Sequence, residues 1–411
     1  MNRGSEWRKW DLHIHTPGTA KNDQYGNSDD VWEKYIDALE KSDVKVFGIT
    51  DYFSMDNYYK VLQFQAEGRL DGKTLLPNIE MRITPVTKSG TAINIHAIFD
   101  PTLTKDEIER EFFSFLKMKS GDETYSCTRP QLLSFGRKLA NDNSYPEKAA
   151  IKKAIGEFIV PFEELHDILS KKFFDNRVIV ALSGKSQDGL SGLLNTDCNT
   201  HTLRKQIGRM ADVILSSNAK DIAYFLGESK DTKETVIATY RSLKPCIIGS
   251  DAHSLDKVGV FPNDRITWIK ADPTFEGLKQ ILFEPKERVR ISDTMPDFKY
   301  DYNIIDHVVL NTAGVWNQTI PFNQNLNTII GGRSTGKSTL LASVAAKFQE
   351  IKNVENYDFI KGLSDNVHVF WRDGQEADNR EIEYFTQNEI ANIISRRDSD
   401  KLFLEILTSL P

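Results

Sequence analysis

The chain has only three cysteines in 411 residues, Cys127, Cys198 and Cys246, scattered and without a Cys-x-x-Cys spacing. That excludes a disulfide framework and a thiolate zinc site. Long apolar runs are also lacking: none approaches the ~18–20 residues a membrane span needs, and the first seven residues do not form the apolar core of a signal peptide. A soluble, cytoplasmic protein without a membrane partner is expected. Basic residues are in deficit, with 52 Lys and Arg against 59 Asp and Glu and a net charge of −7. A general nucleic-acid coat is thereby excluded, since such binding rests on cations neutralising phosphates. A local basic groove remains open. With 39% hydrophobic and 27% charged residues the composition is that of a globular protein, and the length suits one large domain plus a second of about 100 residues.

What the sequence does hold is a short motif, Asp11-Leu12-His13-Ile14-His15-Thr16. Residues two apart in a strand share a face, so His13 and His15 can reach one ion while Ile14 points away. Further polar residues end other apolar runs: Thr50-Asp51, Glu80, His96 and Gly249-Ser250-Asp251-Ala252-His253. Seven strands are expected, at 11–16, 44–50, 75–81, 92–99, 177–183, 211–217 and 245–250, in alternation with helices. Asp29 or Asp30 is expected to cap a helix bearing Val31, Tyr35, Ile36 and Leu39, and Thr104 with Glu107 reads as a capping box. The alternation implies a parallel sheet closed as a barrel, with its chemistry at the strands' C-terminal ends. Residues 119–176 are too long for a β/α loop and read as a helical insertion, with helices at 131–139, 147–158 and 162–173.

The imidazoles and carboxylates form a mixed N/O donor set that suits zinc, manganese or iron, one or two ions, and supports hydrolysis of an ester. In their order these motifs resemble the polymerase-and-histidinol-phosphatase (PHP) phosphoesterases over about residues 8–290. The resemblance implies a distorted seven-stranded β/α barrel with the helical insertion, within a domain of residues 1–295. It implies His13, His15, Glu80 and Asp251 at a principal metal, Glu80 and His96 at a second site one ligand short, and His253 as a remnant of a third. His253 also stands as a catalytic candidate, and Asp51 as a residue orienting a ligand. Three positions depart from the family: Tyr52 and Lys21 stand where it has His, and Ser183 follows a strand that usually ends in Ala-His-Pro. Lys21 and Lys185 read as surface lysines, though either could supply charge near a phosphate. His201 reads as a loop residue, and His166, His307 and His368 as structural.

Residues 296–303 read as a linker, and 304–411 as the N-terminal part of a second domain, a partial P-loop α/β lobe. There Gly331, Gly332, Arg333, Ser334, Thr335, Gly336, Lys337, Ser338 and Thr339 contain the pattern G-x-x-x-x-G-K-[ST], expected to follow an apolar strand at 326–330 and to open a helix at 338–348. Backbone N–H groups would cradle the phosphates of ATP, Lys337 would neutralise them, and Ser338 would hold Mg²⁺. The surrounding sequence, with Tyr384-Phe385-Thr386-Gln387, resembles the N-terminal lobe of ABC-type ATPases of DNA repair and chromosome maintenance, with Gln387 as the Mg²⁺-sensing glutamine. The combination is similar to the TrlF-like ATPases. It implies a phosphate-ester substrate, DNA or RNA among the candidates, and a role in DNA repair or defence against phage. No strand ending in Asp-Glu and no Leu-Ser-Gly-Gly signature follow the P-loop. Either the polypeptide is a piece of a longer protein or it binds nucleotide without turnover. A homodimer or a missing C-terminal ATPase half is expected to complete the lobe. The alternative to an enzyme is a barrel without catalysis, acting as a nucleotide-switched binding module.

Overall fold

The computed structural model describes residues 3–193, 198–351, 356–376 and 379–386, with the side chains of 198–200 left aside. Among these the chain divides into two compact units, one of Trp7–Pro296 and the other of the described residues of Met1–Glu6 and Asp297–Pro411. The first is a mixed α/β unit. Its eleven strands are β1 (Trp7–His15), β2 (Val46–Tyr52), β3 (Thr74–Val86), β4 (Ala92–Phe99), β5 (Lys117–Ser120), β6 (Glu123–Ser126), β7 (Val178–Ser183), β8 (Val213–Leu215), β9 (Cys246–Ile247), β10 (Ile266–Lys270) and β11 (Val289–Ser292). Nine form one sheet in the order β11-β10-β1-β2-β3-β4-β7-β8-β9.

The chain after β9 returns to β1 and nearly closes this sheet. Asp251 N donates to His13 O (2.8 Å) and His15 N to Ala252 O (3.1 Å). Tyr25 stands over the joint, its hydroxyl 2.8 Å from His15 O and 3.0 Å from Ala252 O. Gly249 is required here, because a Cβ would lie 2.6–2.7 Å from His13 Cβ, N and O. One interior cluster draws Trp10, Leu12, Val46, Leu76, Ile98, Ile179, Ala181, Val213 and Ile247 from all seven strands of the ring, with Phe275, Leu278 and Ile281 of the helix Phe275–Phe283. The larger cluster lies between strands and helices and takes Val31, Tyr35, Ile36 and Leu39 from the helix Val31–Lys41.

Seven strands stand where the apolar runs lie, but the sheet is not parallel throughout. β4 is antiparallel to both β3 and β7. Only residues 87–91 join β3 to β4, with Gly90 at φ 75°, and a parallel crossover needs a dozen residues or more. β10 and β11 were not expected. β10 adds antiparallel to β1, which has a free edge below the joint, and β11 adds antiparallel to β10. The 119–176 insertion is not wholly helical either: β5 and β6 form a hairpin at its start, followed by helices Arg129–Ala140, Glu147–Glu157 and Phe162–Leu169. The Thr104–Glu107 capping box is present. Asp30 makes no side-chain cap and instead pairs with Lys34 at 2.9 Å.

In the second unit β12 (Ile305–Thr312) is flanked antiparallel by β13 (Trp316–Pro321) and β14 (Val367–Trp371). β14 escaped the sequence reading; Val367, Val369 and Trp371 alternate inward. Residues 3–6 belong here rather than with the barrel. The Arg3 guanidinium bonds both oxygens of Asp306 at 2.6 Å, and Asn323 Nδ2 donates to Arg3 O and Ser5 O. The strand expected at 326–330 is absent. That segment joins no ladder, and Leu326 and Ile330 are 86% and 90% exposed.

Candidate metal centre

A bulge in β1 prepares the site. Asp11 pairs with Phe47 and Ile14 with Ile49, so β1 spends three residues where β2 spends two. The extra residue flips the face: Trp10 and Leu12 fill the interior below, and His13 and His15 point inward above it. His13 Nε2, His15 Nε2 and Glu80 Oε2 form a triangle with edges of 3.1, 3.2 and 3.2 Å. Asp251 Oδ1 makes a second triangle on the same His–His edge, 3.3 Å from His13 and 3.5 Å from His15. An ion held at about 2.0–2.1 Å from N and O donors in tetrahedral array spaces them by roughly 3.3–3.4 Å. The five edges that involve His13 or His15 match this spacing and the donor types suit a cation, and His13, His15 and Asp251 form one three-donor group that could hold an ion. His13, Glu80 and His96 form the other three-donor group; it shares His13 with the first, so His13 does not complete a separate second site.

The surrounding residues fix each ring. His96 Nδ1 donates to Asn78 Oδ1 (3.2 Å), leaving Nε2 with its lone pair toward Glu80 Oε2 at 4.0 Å. Asn78 is itself locked, its Nδ2 donating to Leu12 O (2.8 Å) and Thr50 Oγ1 (3.0 Å). His15 Nδ1 lies 3.3 Å from Thr19 Oγ1. Asp11 Oδ1 accepts from Ser250 N at 2.9 Å, and so holds the segment that carries Asp251. Asp251 adopts φ 52°, a conformation uncommon outside glycine.

Electrostatics show what the cluster does without a cation. Burial alone would lower the His15 imidazole, but hydrogen bonds to Asp251 and Glu80 push it up to about 9. Burial would raise Glu80, yet His13 and His15 hold it well below the usual carboxylate range, and Asp251 is lowered by the same imidazoles. A proton on His15 thus stands in for positive charge. His96 is driven down to about 3, by burial first and then by His13, and stays neutral as a ligand must.

Several expected roles change. His253 joins neither donor group: it stacks on His15 with centroids 4.1 Å apart, Nδ1 lies 2.9 Å from Asp251 O, and Nε2 is buried without a protein partner. Asp51 hydrogen-bonds to none of the donor residues among the described contacts. Its oxygens accept from Thr16 Oγ1 (3.3 Å), Asn57 Nδ2 (3.0 Å) and Asn57 N (3.2 Å), and burial raises it to about 7. Tyr52 stacks on His15 at 4.8 Å with the Lys21 ammonium 5.7 Å from its ring, so two departing positions meet beside the donors. Ser183 Oγ donates to Asp188. Lys185 is exposed, as expected of a surface lysine, and also lines the cavity of about 600 Å³ above His13, Glu80, His96 and Asp251. His201 is exposed on the helix Cys198–Met210 and takes no part, while His166, His307 and His368 lie elsewhere, beside Asp167, Asp306 and Glu376. Asp11, Asn78 and Tyr25 were given no role from sequence. Their partners, backbone atoms for Asp11 and Tyr25 and two side chains with one carbonyl for Asn78, lie mostly on segments distant in sequence, which leave no spacing signal.

In the second unit residues 331–336 form a loop leading into the helix Lys337–Ala345. Ser334 and Gly336 have φ 63° and 85°, and Gly331, Gly332, Arg333, Ser334, Thr335 and Ser338 are exposed. Lys337 Nζ folds onto Gly331 O (2.9 Å) and Gly332 O (2.6 Å), and Thr339 lies in the first turn. Gln387 lies outside the described residues.

No family model and no curated protein matches the chain. Among solved structures it is similar to PsfC from Pseudomonas syringae PB-5123, with a TM-score of 0.34 and 14% identity over 66% of this chain and 88% of that one. None of the described helices is long and apolar enough to cross a membrane.

Proposed function

We propose that the barrel unit is a metal-dependent phosphoesterase of the PHP type, acting on phosphate esters of nucleic acid or nucleotides and attached to an ATP-binding P-loop unit. The observation that carries this is the convergence of His13, His15, Glu80 and Asp251 at 3.1–3.5 Å, under a cavity open to substrate. A structural ion would be closed off by its ligands, whereas a catalytic one keeps an accessible side. A divalent cation there, zinc, manganese or iron, supplies Lewis-acid activation of water and of a phosphoryl oxygen. The chain's own residues do the rest. Asn78 holds His96 in the neutral ligand tautomer, Asp11 and Tyr25 hold the β1–β9 joint so that Asp251 faces the two imidazoles, and His253 stacks on His15 beside them. In the second unit the exposed N–H groups ahead of the helix Lys337–Ala345 support binding of ATP with Mg²⁺.

Tyr52, and Ser183 after its strand, where the family has His, favour the second reading, a barrel without catalysis that serves as a nucleotide-switched binding module. The two separate on one experiment. Elemental analysis and turnover of a phosphomonoester, a phosphodiester and single-stranded DNA are compared for the wild type and Asp251→Ala. The phosphoesterase reading expects about one or two bound ions and metal-dependent phosphate release, both lost in the variant. Metal-loaded protein that hydrolyses none of the three esters overturns it and leaves the binding module.

A further inference from the structure

The segment after β7, residues 183–192, forms one wall of the cavity above the donors and is pinned along its length. Ser183 Oγ donates to Asp188 Oδ1 (2.8 Å), Asn94 N to Asp188 O (2.8 Å), and Asn94 Nδ2 to Asp188 Oδ2 (3.3 Å). Thr87 and Ser89 both donate to Gln187 O, and Lys88 N to Gly192 O (3.0 Å). Gly189 and Gly192 pack so closely that a Cβ would stand 2.2 Å from Ser183 O and Ser186 O respectively. Such a loop keeps one conformation, and a cation carried on it is already positioned.

That cation is Lys185. Of the carboxylates lining the cavity, Glu80 and Asp251 face the imidazoles, Asp188 is engaged as above, and Asp221 accepts from Ser216 Oγ at 2.6 Å. Among the described residues no carboxylate lies within 4.0 Å of the Lys185 ammonium, which leaves it for a ligand. The remaining wall is mixed: the hydroxyls of Ser186, Ser191 and Ser217 and the amides of Gln187 and Asn218 stand beside the apolar Leu215, Ile248 and Pro262, and among the described lining residues Tyr52 carries the one aromatic ring besides the imidazoles. The hydroxyl and amide groups, gathered on and opposite the loop that carries Lys185, are suited to recognise hydroxyls.

We propose that the loop 183–192 is the substrate-recognition element of the cavity. In this assignment Lys185 holds a non-bridging oxygen of the phosphate, and the serine and amide wall receives a hydroxyl-rich alcohol portion, the ribose of a nucleotide or another sugar phosphate. This rests on the phosphoesterase reading and adds to it the class of substrate and the residue that binds its charge.

The test is calorimetric titration of inorganic phosphate into metal-loaded wild type, Lys185→Ala and Lys185→Arg, followed by comparison of ribose 5-phosphate with phenyl phosphate as substrates. Lys185→Ala is expected to weaken phosphate binding about tenfold or more, the scale of one charge-assisted hydrogen bond, with Lys185→Arg recovering most of it and metal content equal in all three. Ribose 5-phosphate is expected to show the higher kcat/KM. Wild type that binds no phosphate overturns the phosphoesterase reading itself. Phosphate binding that Lys185→Ala leaves within twofold overturns the role of Lys185 alone, and equal or better turnover of phenyl phosphate overturns the substrate class.

Discussion

Asn78→Ala tests whether the site is assembled by its supporting residues or by its donors alone. Asn78 is 2% exposed and makes three hydrogen bonds with three different strands: His96 on β4, Leu12 on β1 and Thr50 on β2. Alanine removes all three. Thr50 Oγ1 keeps a partner, since it donates to Gly48 O at 2.9 Å, but Leu12 O and His96 Nδ1 are left unpaired in the interior. Each such group costs about 1–3 kcal/mol, so the variant should be roughly 2–6 kcal/mol less stable. The loss at the metal is separate. Without its acceptor the His96 ring is fixed in neither orientation nor tautomer, and removing such a partner lowers metal affinity about 10–100-fold. Thermal unfolding of the metal-free form measures the first effect, and competition with a chelator of known affinity measures the second. Asn78→Asp divides them: its carboxylate still accepts from His96 Nδ1 but cannot donate to Leu12 O, so it should be destabilised yet bind metal more tightly than Asn78→Ala. An alanine variant that unfolds like the wild type, or binds metal within twofold of it, would refute the argument.

Two further outcomes are expected. The Asp51 carboxyl, moved by burial from 3.8 to about 7, makes the folded state hold a proton that the unfolded state has released. Its contribution is therefore present in full below pH 3.8 and is lost as pH rises through 7, a change of at most about 4 kcal/mol. Asp51→Asn should gain on the wild type in melting temperature between pH 4 and pH 8 in metal-free protein, and a difference that stays constant with pH would count against the assignment. In the second unit, Lys337 Nζ now bonds the Gly331 and Gly332 carbonyls, contacts that bound phosphates would replace. Lys337→Ala should weaken binding of a fluorescent ATP analogue about tenfold or more while leaving metal content in the barrel unchanged.

The sequence carried the strands of the ring and the donors because both are local signals. A run such as Val178–Ser183 reads as a strand wherever it packs, and His13 with His15 share a face by period alone. Direction is not local. The antiparallel course of β4 was in principle readable from the five residues 87–91, too few for a crossover, but the regular β/α pattern elsewhere outweighed them. β10 and β11 could not be placed, because nothing in Ile266–Lys270 says that β1 has a free edge. At 326–330 the apolar residues predict a strand that the structure does not form. Apolarity calls for a neighbour, and among the described residues these five find no ladder.

The same distinction explains the roles that changed at the site. Asp51 and His253 were assigned by position in a motif, and a motif states which residues converge, not which atom faces which. Asp51 is turned to Asn57, and His253 lies flat on His15. Lys185 shows the converse. An isolated lysine in a serine- and glycine-rich segment has no pattern to read, and it gains meaning only from a loop held by Thr87, Ser89 and Asn94, nearly a hundred residues earlier. The donor set follows from the chain's periodicity. The proposed selectivity of the cavity depends on contacts that join β4 and the β3–β4 hairpin to the loop after β7, and such contacts exist only in the fold.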